Sequence, residues 1–448
     1  MDMGNLFVMP SSSGELSRRN FMQAGLVAGA AMAVPWVVGA GYPTRSPAAK
    51  GLVTAEQAAL RVLAMATDSV KLGSKGVGGL ILDNRTGQVI RESRNYRSLP
   101  VNAAVATGPN EVFTWDYTAH GETGLVGWYQ FYRKKLGLPD PRHLTIVTSL
   151  DPCAMCTGSI LTAGFSAAVV AFDATGGMNV TADGRFRTMT PSLRQAAFDS
   201  LGFYSVAGVR DYFGPEQIPL RTTSVSAETA QACESVFFSP RTSVSLDNAV
   251  PLKDVIDPAT RPVDDPFRVA MMKKWPMALS IRLTSPTSPN RELKEYLERV
   301  NRATPGSKNA VAFIDSFGNL LTAQADRPSR SIATAFMNTS QSYAQARFEL
   351  FNDPATHEGA KYSLAAPRYG SFVWLHAPTP GIAPTLKDLG AFGSTMGDPS
   401  PGGFQFYLPP LQGTYAELLE QIAYLPPYYT QEVGISPLPV GVFSPMPT

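Results

Sequence analysis

The stretches that decide the fold of this chain are HGE at residues 120–122 and PCAMC at residues 152–156. Together they supply one imidazole and two thiols, at His120, Cys153 and Cys156. A catalytic zinc takes three protein ligands of this kind and leaves its fourth position to water. The sequence therefore predicts that these three side chains bind one zinc ion.

Glu122 lies two residues from His120, too close to be a comfortable fourth ligand. It is well placed to accept a proton from a metal-bound water and to donate it again. Two thiolates cancel the double positive charge of zinc, so the ion lowers the pKa of its bound water less than it would with three histidine ligands. A nearby base is therefore needed to accept a proton from that water. Glu122 is therefore the predicted catalytic residue.

The pairing of His-x-Glu with a downstream Pro-Cys-x-x-Cys resembles the zinc-dependent cytidine, adenosine and guanine deaminase superfamily over roughly residues 55–175. The resemblance implies a three-layer α/β/α cytidine deaminase-like domain and a Zn²⁺ cofactor. It also implies hydrolytic deamination of a small nucleobase, nucleoside or related amino-heterocycle, with zinc-bound hydroxide as nucleophile and Glu122 as proton shuttle. Two positions differ from the family pattern: Gly121 replaces a common alanine, and Asp151 replaces a common glutamate.

An asparagine that follows the first hairpin binds the substrate in the enzymes that this chain resembles. Asn95 is the predicted substrate-binding residue here, with Asn102 as a second candidate. Either could equally be an ordinary turn asparagine. Trp115 and Tyr117 could stack on a flat base or simply belong to the core.

The elements around the motif predict a layered α/β sheet. Residues 77–84 and 88–90 form a predicted hairpin, and apolar residues at helical spacing follow His120 as far as Gly137. Residues 144–150 and 168–172 are predicted strands. Asp151 is the predicted N-cap of the next helix, which would put both thiols at its positive end and favour their thiolate forms.

The N-terminus carries SRRNFM at residues 17–22, an apolar run at 24–34 and small residues before a cleavage site after Ala40. This order resembles a twin-arginine export signal. The alternative is a basic patch beside a short anchor. An export signal implies the twin-arginine machinery as a partner and a periplasmic or secreted location. Because this route carries folded proteins, zinc loaded in the cytoplasm would protect the two thiols from forming a disulfide.

The composition limits the function further. The chain has 448 residues, 44% hydrophobic content and a net charge of +2, which is not the electrostatic footprint of a nucleic-acid binder. Of its 3 cysteines, Cys233 has no obvious partner and is predicted to be a buried free thiol. The remaining histidines, His143, His357 and His376, are the few candidates for closing a structural zinc site instead.

The C-terminal half shows a fainter pattern. A helix-like stretch at 292–303 precedes a strand, turn and strand at 310–321, and another helix-like stretch follows at 331–350. This order parallels the first half, so the region is either a degenerate repeat of the same fold or a chance succession of common elements. From residue 378 the chain is rich in Pro and Gly, which indicates extended segments or a tail. We expect no second active centre, because no cysteine follows Cys233.

These patterns predict four segments: a signal at 1–40, a catalytic domain at 50–238, a linker at 239–270 and a C-terminal domain, a candidate pseudo-deaminase, at 271–448. The predicted function is an exported zinc-dependent deaminase acting on a small molecule, in a chain that could form a homo-oligomer. One alternative is a non-catalytic, zinc-stabilised binding protein on the same scaffold. The other is a deaminase that edits nucleic acid, against which the near-neutral charge counts.

Overall fold

A computed structural model describes residues 51–52, 54–178, 188–212, 223–239, 243–329, 331–397, 403–407 and 412–441. The predicted signal at residues 1–40 lies outside them. The helices are α1 Ala55–Lys71, α2 Gly121–Leu136, α3 Ala154–Ala163, α4 Pro191–Ser200, α5 Ala227–Phe238, α6 Pro266–Lys274, α7 Arg291–Arg302, α8 Ala335–Asn352, α9 His357–Ser363, α10 Ala383–Met396 and α11 Gln412–Ala423.

The strands alternate with these helices along the chain, as the sequence predicts. They are β1 Gly78–Asp83, β2 Val89–Arg94, β3 Ser98–Pro100, β4 Glu111–Thr114, β5 Leu144–Leu150, β6 Ser166–Ala171, β7 Leu201–Phe203, β8 Ser205–Val206, β9 Ser224–Val225, β10 Val244–Ser245, β11 Ala310–Ile314, β12 Leu320–Ala325, β13 Ser371–Trp374, β14 Phe404–Tyr407 and β15 Pro437–Val440. A π-helical segment spans Tyr428–Glu432.

The first large sheet has five strands in the order β2-β1-β5-β6-β7. β1 pairs antiparallel with β2 and β5, whereas β5, β6 and β7 are parallel. Neighbouring side chains of β1 point to opposite faces, so Leu80 packs with α1 and α5 while Ile81 packs with α2 and α3. Helices thus cover both faces, and the predicted three-layer α/β/α architecture is confirmed.

The second large sheet has five strands in the order β12-β11-β13-β14-β15. Its pairings are antiparallel between β11 and both β12 and β13, and parallel from β13 through β15. Each hairpin also has a register irregularity near the turn, after Ile81 in β1 and after Phe313 in β11. The predicted repeat of the first fold is therefore confirmed by topology.

Local hydrogen bonds repeat as well. Asn95 follows β2, and its Oδ1 accepts a hydrogen bond from the backbone N–H of Gly121, the first residue of α2, at 2.8 Å. Asp326 follows β12, and its Oδ1 accepts from the backbone N–H of Ala335, the first residue of α8, at 2.7 Å. In both halves, a polar side chain just after the hairpin therefore accepts a hydrogen bond from the first residue of the next helix.

The two hairpin turns are built alike. Gly87 and Gly318 have φ angles of 68° and 87°, in the left-handed region that favours glycine. Their carbonyl oxygens accept hydrogen bonds from the N–H groups of Leu52 and Leu283, at 2.7 Å and 2.8 Å. Each turn is thereby joined to the segment that leads into the helix preceding its hairpin.

One continuous core joins the two halves. The inner helices α2 and α3 of the first half pack with α8 and α10 of the second, and side chains such as Leu125, Ile160, Phe336 and Leu389 belong to one buried cluster. The molecule thus has the layer order α1 and α5, first sheet, four inner helices, second sheet, α7. The predicted domain boundaries stay a prediction: the halves share this inner cluster, and each also has a smaller core of its own on its outer face.

Helices α3 and α10 cross at two glycines. A methyl group at Gly158 would lie 2.8 Å from the carbonyl oxygen of Ala383, and one at Gly390 would overlap the backbone nitrogen of Met155. Real side chains do not approach so closely, so only glycine permits this crossing.

We therefore expect Gly390→Ala to lower the free energy of unfolding by about 3 kcal/mol, at the upper end of the cost of overpacking, because both helix backbones must separate. Gly121→Ala is the matched control: its methyl group would meet the backbone of Arg94 at 3.5 Å, an ordinary contact. Its free energy of unfolding should exceed that of the wild type by no more than about 1 kcal/mol. Urea denaturation measures both; equal stability of the two variants would contradict the role of the crossing.

Two sequence predictions are wrong. Cys153, not Asp151, is the N-cap of α3, because the N–H of Asp151 pairs with the carbonyl of Ala171 and prolongs the contact with β6. The region after residue 378 is not a tail, because it supplies α10, β14, α11 and β15 of the second fold. Its prolines fit regular structure: Pro384 lies in the first turn of α10, and Pro437 begins the edge strand β15.

The described part of the chain contains no helix that is both long enough and apolar enough to span a membrane.

Candidate functional site

The site lies where the N-termini of α2 and α3 meet. His120 is the N-cap of α2 and Cys153 is the N-cap of α3, while Cys156 lies in the first turn of α3. The backbone N–H of His120 donates to Thr123 Oγ1 at 3.1 Å, and this hydroxyl donates to the carbonyl of Thr118 at 2.7 Å. These bonds fix the backbone from which the imidazole projects.

The three predicted ligands converge. His120 Nδ1 lies 3.5 Å from Cys153 Sγ and 3.6 Å from Cys156 Sγ, and the two sulfurs are 3.4 Å apart. Zinc bonds of about 2.3 Å to sulfur and about 2.0–2.1 Å to nitrogen, arranged tetrahedrally, imply ligand separations of about 3.5–3.8 Å. The donor set and its spacing therefore fit a zinc ion.

The two thiols have opposite pKa shifts. The hydrogen bond between the two sulfurs holds the pKa of Cys153 well below its usual range, and the imidazole of His120 acts in the same direction. Burial raises the pKa of Cys156 well above its usual range. Burial lowers the pKa of His120, but the thiolate of Cys153 opposes it and the net shift is upward. Because a metal needs both sulfurs as thiolates, binding it would release a proton.

Glu122 lies beside the ligands. Its side chain is 3% exposed, and its Oε1 accepts a hydrogen bond from Thr148 Oγ1 at 2.9 Å. Oε2 lies 3.4 Å from Cys156 Sγ. Burial, together with the negative charge of Cys153, raises the pKa of Glu122. The carboxylate is thus held within reach of the metal position by a partner of its own on β5.

Asn95 is next to the site. Its Oδ1 is engaged by the N–H of Gly121, and its Nδ2 has no hydrogen-bond partner among the described residues. Asn102 lies elsewhere, because its backbone N–H and its Nδ2 bind the side chain and the carbonyl of Asn352. The amide of Asn95 therefore retains a donor for a ligand.

The two aromatic candidates belong mainly to packing. Tyr117 is 1% exposed, and its hydroxyl donates to Asp247 Oδ2 at 2.7 Å. Asp247 in turn forms a buried ion pair with Arg347 of α8. Trp115 packs edge-on against Phe348 of the same helix. Both aromatic side chains thus join the N-terminal half to the C-terminal half.

The C-terminal half supplies site residues that sequence reasoning missed. Ser394 Oγ of α10 lies 3.4 Å from His120 Nε2. Gln341 Nε2 of α8 donates to Thr118 Oγ1 at 2.9 Å, and the hydroxyl of Tyr429 accepts from the N–H of Ala154 at 3.1 Å. No local motif marks these residues. The faint repeat was the one signal that pointed to a wall made by this half.

The corresponding positions of the second fold do not carry the predicted metal ligands. Thr334 is the N-cap of α8 where His120 caps α2, and Ile382 is the N-cap of α10 where Cys153 caps α3. Among the described residues, His120, Cys153 and Cys156 are the one group that could hold a metal ion.

Residues 15–35 match the family model of the TAT (twin-arginine translocation) pathway signal sequence. The chain is therefore exported through the twin-arginine pathway, to the periplasm or outside the cell.

No curated protein matches the sequence. One similar solved structure comes from work on A-to-I editing by tRNA:A34 deaminases, with 18% identity and a TM-score of 0.25, covering 40% of this chain and 98% of the other. Another is a guanine deaminase from Nitrosomonas europaea, with 13% identity and a TM-score of 0.27, covering 45% and 97%.

Replacing both Arg18 and Arg19 by Lys should hold the precursor in the cytoplasm, because the pathway recognises the arginine pair and not charge alone. Immunoblots of cytoplasmic and exported fractions measure this. Arg45→Lys, outside the matched signal, is the charge-conserving control and should be exported normally. Export of a mature form beginning near Gly41 from the double variant would contradict the prediction.

Proposed function

We propose that this chain is an exported, zinc-dependent hydrolytic deaminase of a small nucleobase, nucleoside or related amino-heterocycle. One observation carries the proposal: three metal-ligand atoms 3.4–3.6 Å apart have beside them a buried carboxylate, Glu122, that the ligand set does not need. A structural zinc site would be closed by a fourth His or Cys, whereas this one has a group suited to moving protons.

A zinc ion at this position supplies Lewis acidity, which lowers the pKa of a bound water. The water attacks the amidine-type carbon, which is bonded to a ring nitrogen and to the amino group. As the carbon–oxygen bond forms, Glu122 accepts the first proton of the water and delivers it to that ring nitrogen. It then takes the second proton from that oxygen and gives it to the amino group. The carbon–nitrogen bond breaks, ammonia leaves, a carbonyl remains and Glu122 returns to its starting state.

The neighbours of Glu122 support this role. The hydrogen bond from Thr148 leaves one carboxylate oxygen, Oε2, on the side of the thiols. Asn95 offers its free Nδ2–H to the heterocycle, while its Oδ1 is held by the N–H of Gly121. Substrate orientation by an amide whose other end is fixed costs little conformational entropy.

The surroundings favour a small substrate. The chain carries a net charge of +2, so a long polyanion would gain little from binding it. Gln341, Ser394 and Tyr429 of the C-terminal half also contact residues of the site or their immediate neighbours. Free heterocycles and nucleosides fit this description better than a folded or single-stranded nucleic acid.

The test is an ammonia-release screen of free bases, nucleosides and pterin-like compounds, with zinc-loaded protein and the same protein after chelation. We expect release from at least one compound, lost on chelation and restored by Zn²⁺. Zinc binding without release from any compound would favour a non-catalytic, zinc-stabilised binding protein. Deamination confined to oligonucleotides, with salt-sensitive binding, would instead favour nucleic-acid editing.

A further inference from the structure

Ser394 belongs to the C-terminal half, yet its hydroxyl lies 3.4 Å from Nε2 of His120. We propose that Ser394 is a positioning residue that fixes the tautomer and the orientation of the metal-binding imidazole. The proposal rests on the zinc site of the proposed function. It assigns a specific chemical task to the half of the chain that does not carry the predicted ligands.

The tautomer follows from the geometry of the ring. His120 Nδ1 faces both sulfurs at 3.5–3.6 Å, so this nitrogen must present its lone pair to a metal. The proton of the neutral ring then resides on Nε2. Ser394 Oγ is the acceptor within reach of that proton, and a partner on the second nitrogen is how proteins orient metal-binding histidines.

The position of Ser394 is fixed relative to the thiols. It lies on α10, which crosses the thiol-bearing helix α3 at Gly158 and Gly390 without room for side chains. A movement of α10 toward α3 would therefore collide with the backbone of α3. The acceptor for His120 and the helix that carries Cys153 and Cys156 consequently belong to one closely packed unit.

Two tyrosines strengthen this unit. The hydroxyl of Tyr428 donates to the carbonyl of Gly393, the residue before Ser394, at 2.9 Å. The hydroxyl of Tyr429 accepts from the N–H of Ala154, the residue after Cys153, at 3.1 Å. Two consecutive residues thus hydrogen-bond to the two helices: Tyr428 to α10 beside Ser394, and Tyr429 to α3 beside Cys153.

On the other side of Ser394, the hydroxyl of Thr395 shares a 2.8 Å hydrogen bond with Ser340 of α8, and both residues are buried. This pair lies at the interface of α10 and α8, and among the described residues neither one is hydrogen-bonded to His120. Ser340 therefore offers a matched control: its truncation removes one buried hydroxyl next to the same helix without touching the imidazole.

The experiment compares Ser394→Ala, Ser394→Thr and Ser340→Ala in the full-length mature protein. Zinc affinity is measured by competition with a chromophoric chelator, and the geometry of the metal site by the visible spectrum of the Co²⁺-substituted protein. We expect Ser394→Ala to weaken zinc binding by about 10–100-fold and to change the Co²⁺ spectrum. Ser394→Thr keeps a hydroxyl and should stay within about threefold of the wild type. Ser340→Ala should bind zinc like the wild type.

Each outcome separates this inference from the proposed function. If Ser394→Ala matches Ser340→Ala in affinity and spectrum, Ser394 does not position His120, and the deaminase proposal is untouched. If Ser394→Thr is as weak as Ser394→Ala, packing and not the hydroxyl is responsible, and the inference fails. A wild-type protein that binds no zinc at all would overturn the zinc site itself.

Discussion

Cys153→Ala is expected to reduce the zinc content from about one ion per chain to a small fraction, because two remaining ligands cannot hold zinc against dialysis. The lost sulfur is also the one whose pKa is lowered, so the variant loses the thiolate that forms most readily. Metal analysis after mild dialysis measures the effect.

Cys233→Ala is the matched control for this substitution. Cys233 is fully buried in the core between the first sheet and α1, on the face opposite the site. Its replacement should leave the zinc content unchanged. If Cys153→Ala retained as much zinc as Cys233→Ala, the assignment of the metal site would be wrong.

Glu122→Gln should retain zinc while lowering turnover by about 10²–10⁴-fold, the usual contribution of a general acid–base group. A glutamine side chain still accepts the hydrogen bond from Thr148, so the local structure is preserved, but its amide cannot take up and release the proton. The measurement pairs steady-state ammonia release with metal analysis.

Glu111→Gln is the control for this second prediction. Glu111 is also buried, but it lies on β4 and binds the backbone and hydroxyl of Thr107. This variant should keep both zinc and turnover. Loss of zinc together with activity in Glu122→Gln would mean that Glu122 is a metal ligand, and unchanged turnover would mean that another group moves the protons.

The candidate ligands could be recognised in the sequence because their chemistry is local. His120, Cys153 and Cys156 lie at helix starts, and the residue types and spacing alone indicate a metal site. Where α3 begins was not predictable in the same way. It depends on the hydrogen bond between Asp151 and Ala171, and on that between Pro152 and Met178, and both partners are distant in sequence.

The second fold was predictable in outline, from its strand, turn and strand pattern, but its contribution to the site was not. The contact between Ser394 and His120 joins residues of opposite halves and depends on the crossing of α3 and α10. Such a contact leaves no periodicity or motif in the chain. Asn95 as a substrate-binding residue stays a prediction, for which its free amide donor provides a structural reason.

The shared core of the two halves has a consequence for stoichiometry. Two separate copies of such a fold would associate only above some concentration, and an exported protein is exposed to unlimited dilution. Here the acceptor Ser394 and the ligand His120 belong to one polypeptide, so their effective concentration does not depend on how much protein is present. The chain is thus a permanently assembled pair of unequal halves: one carries the proposed metal ligands, and the other cannot dissociate from it.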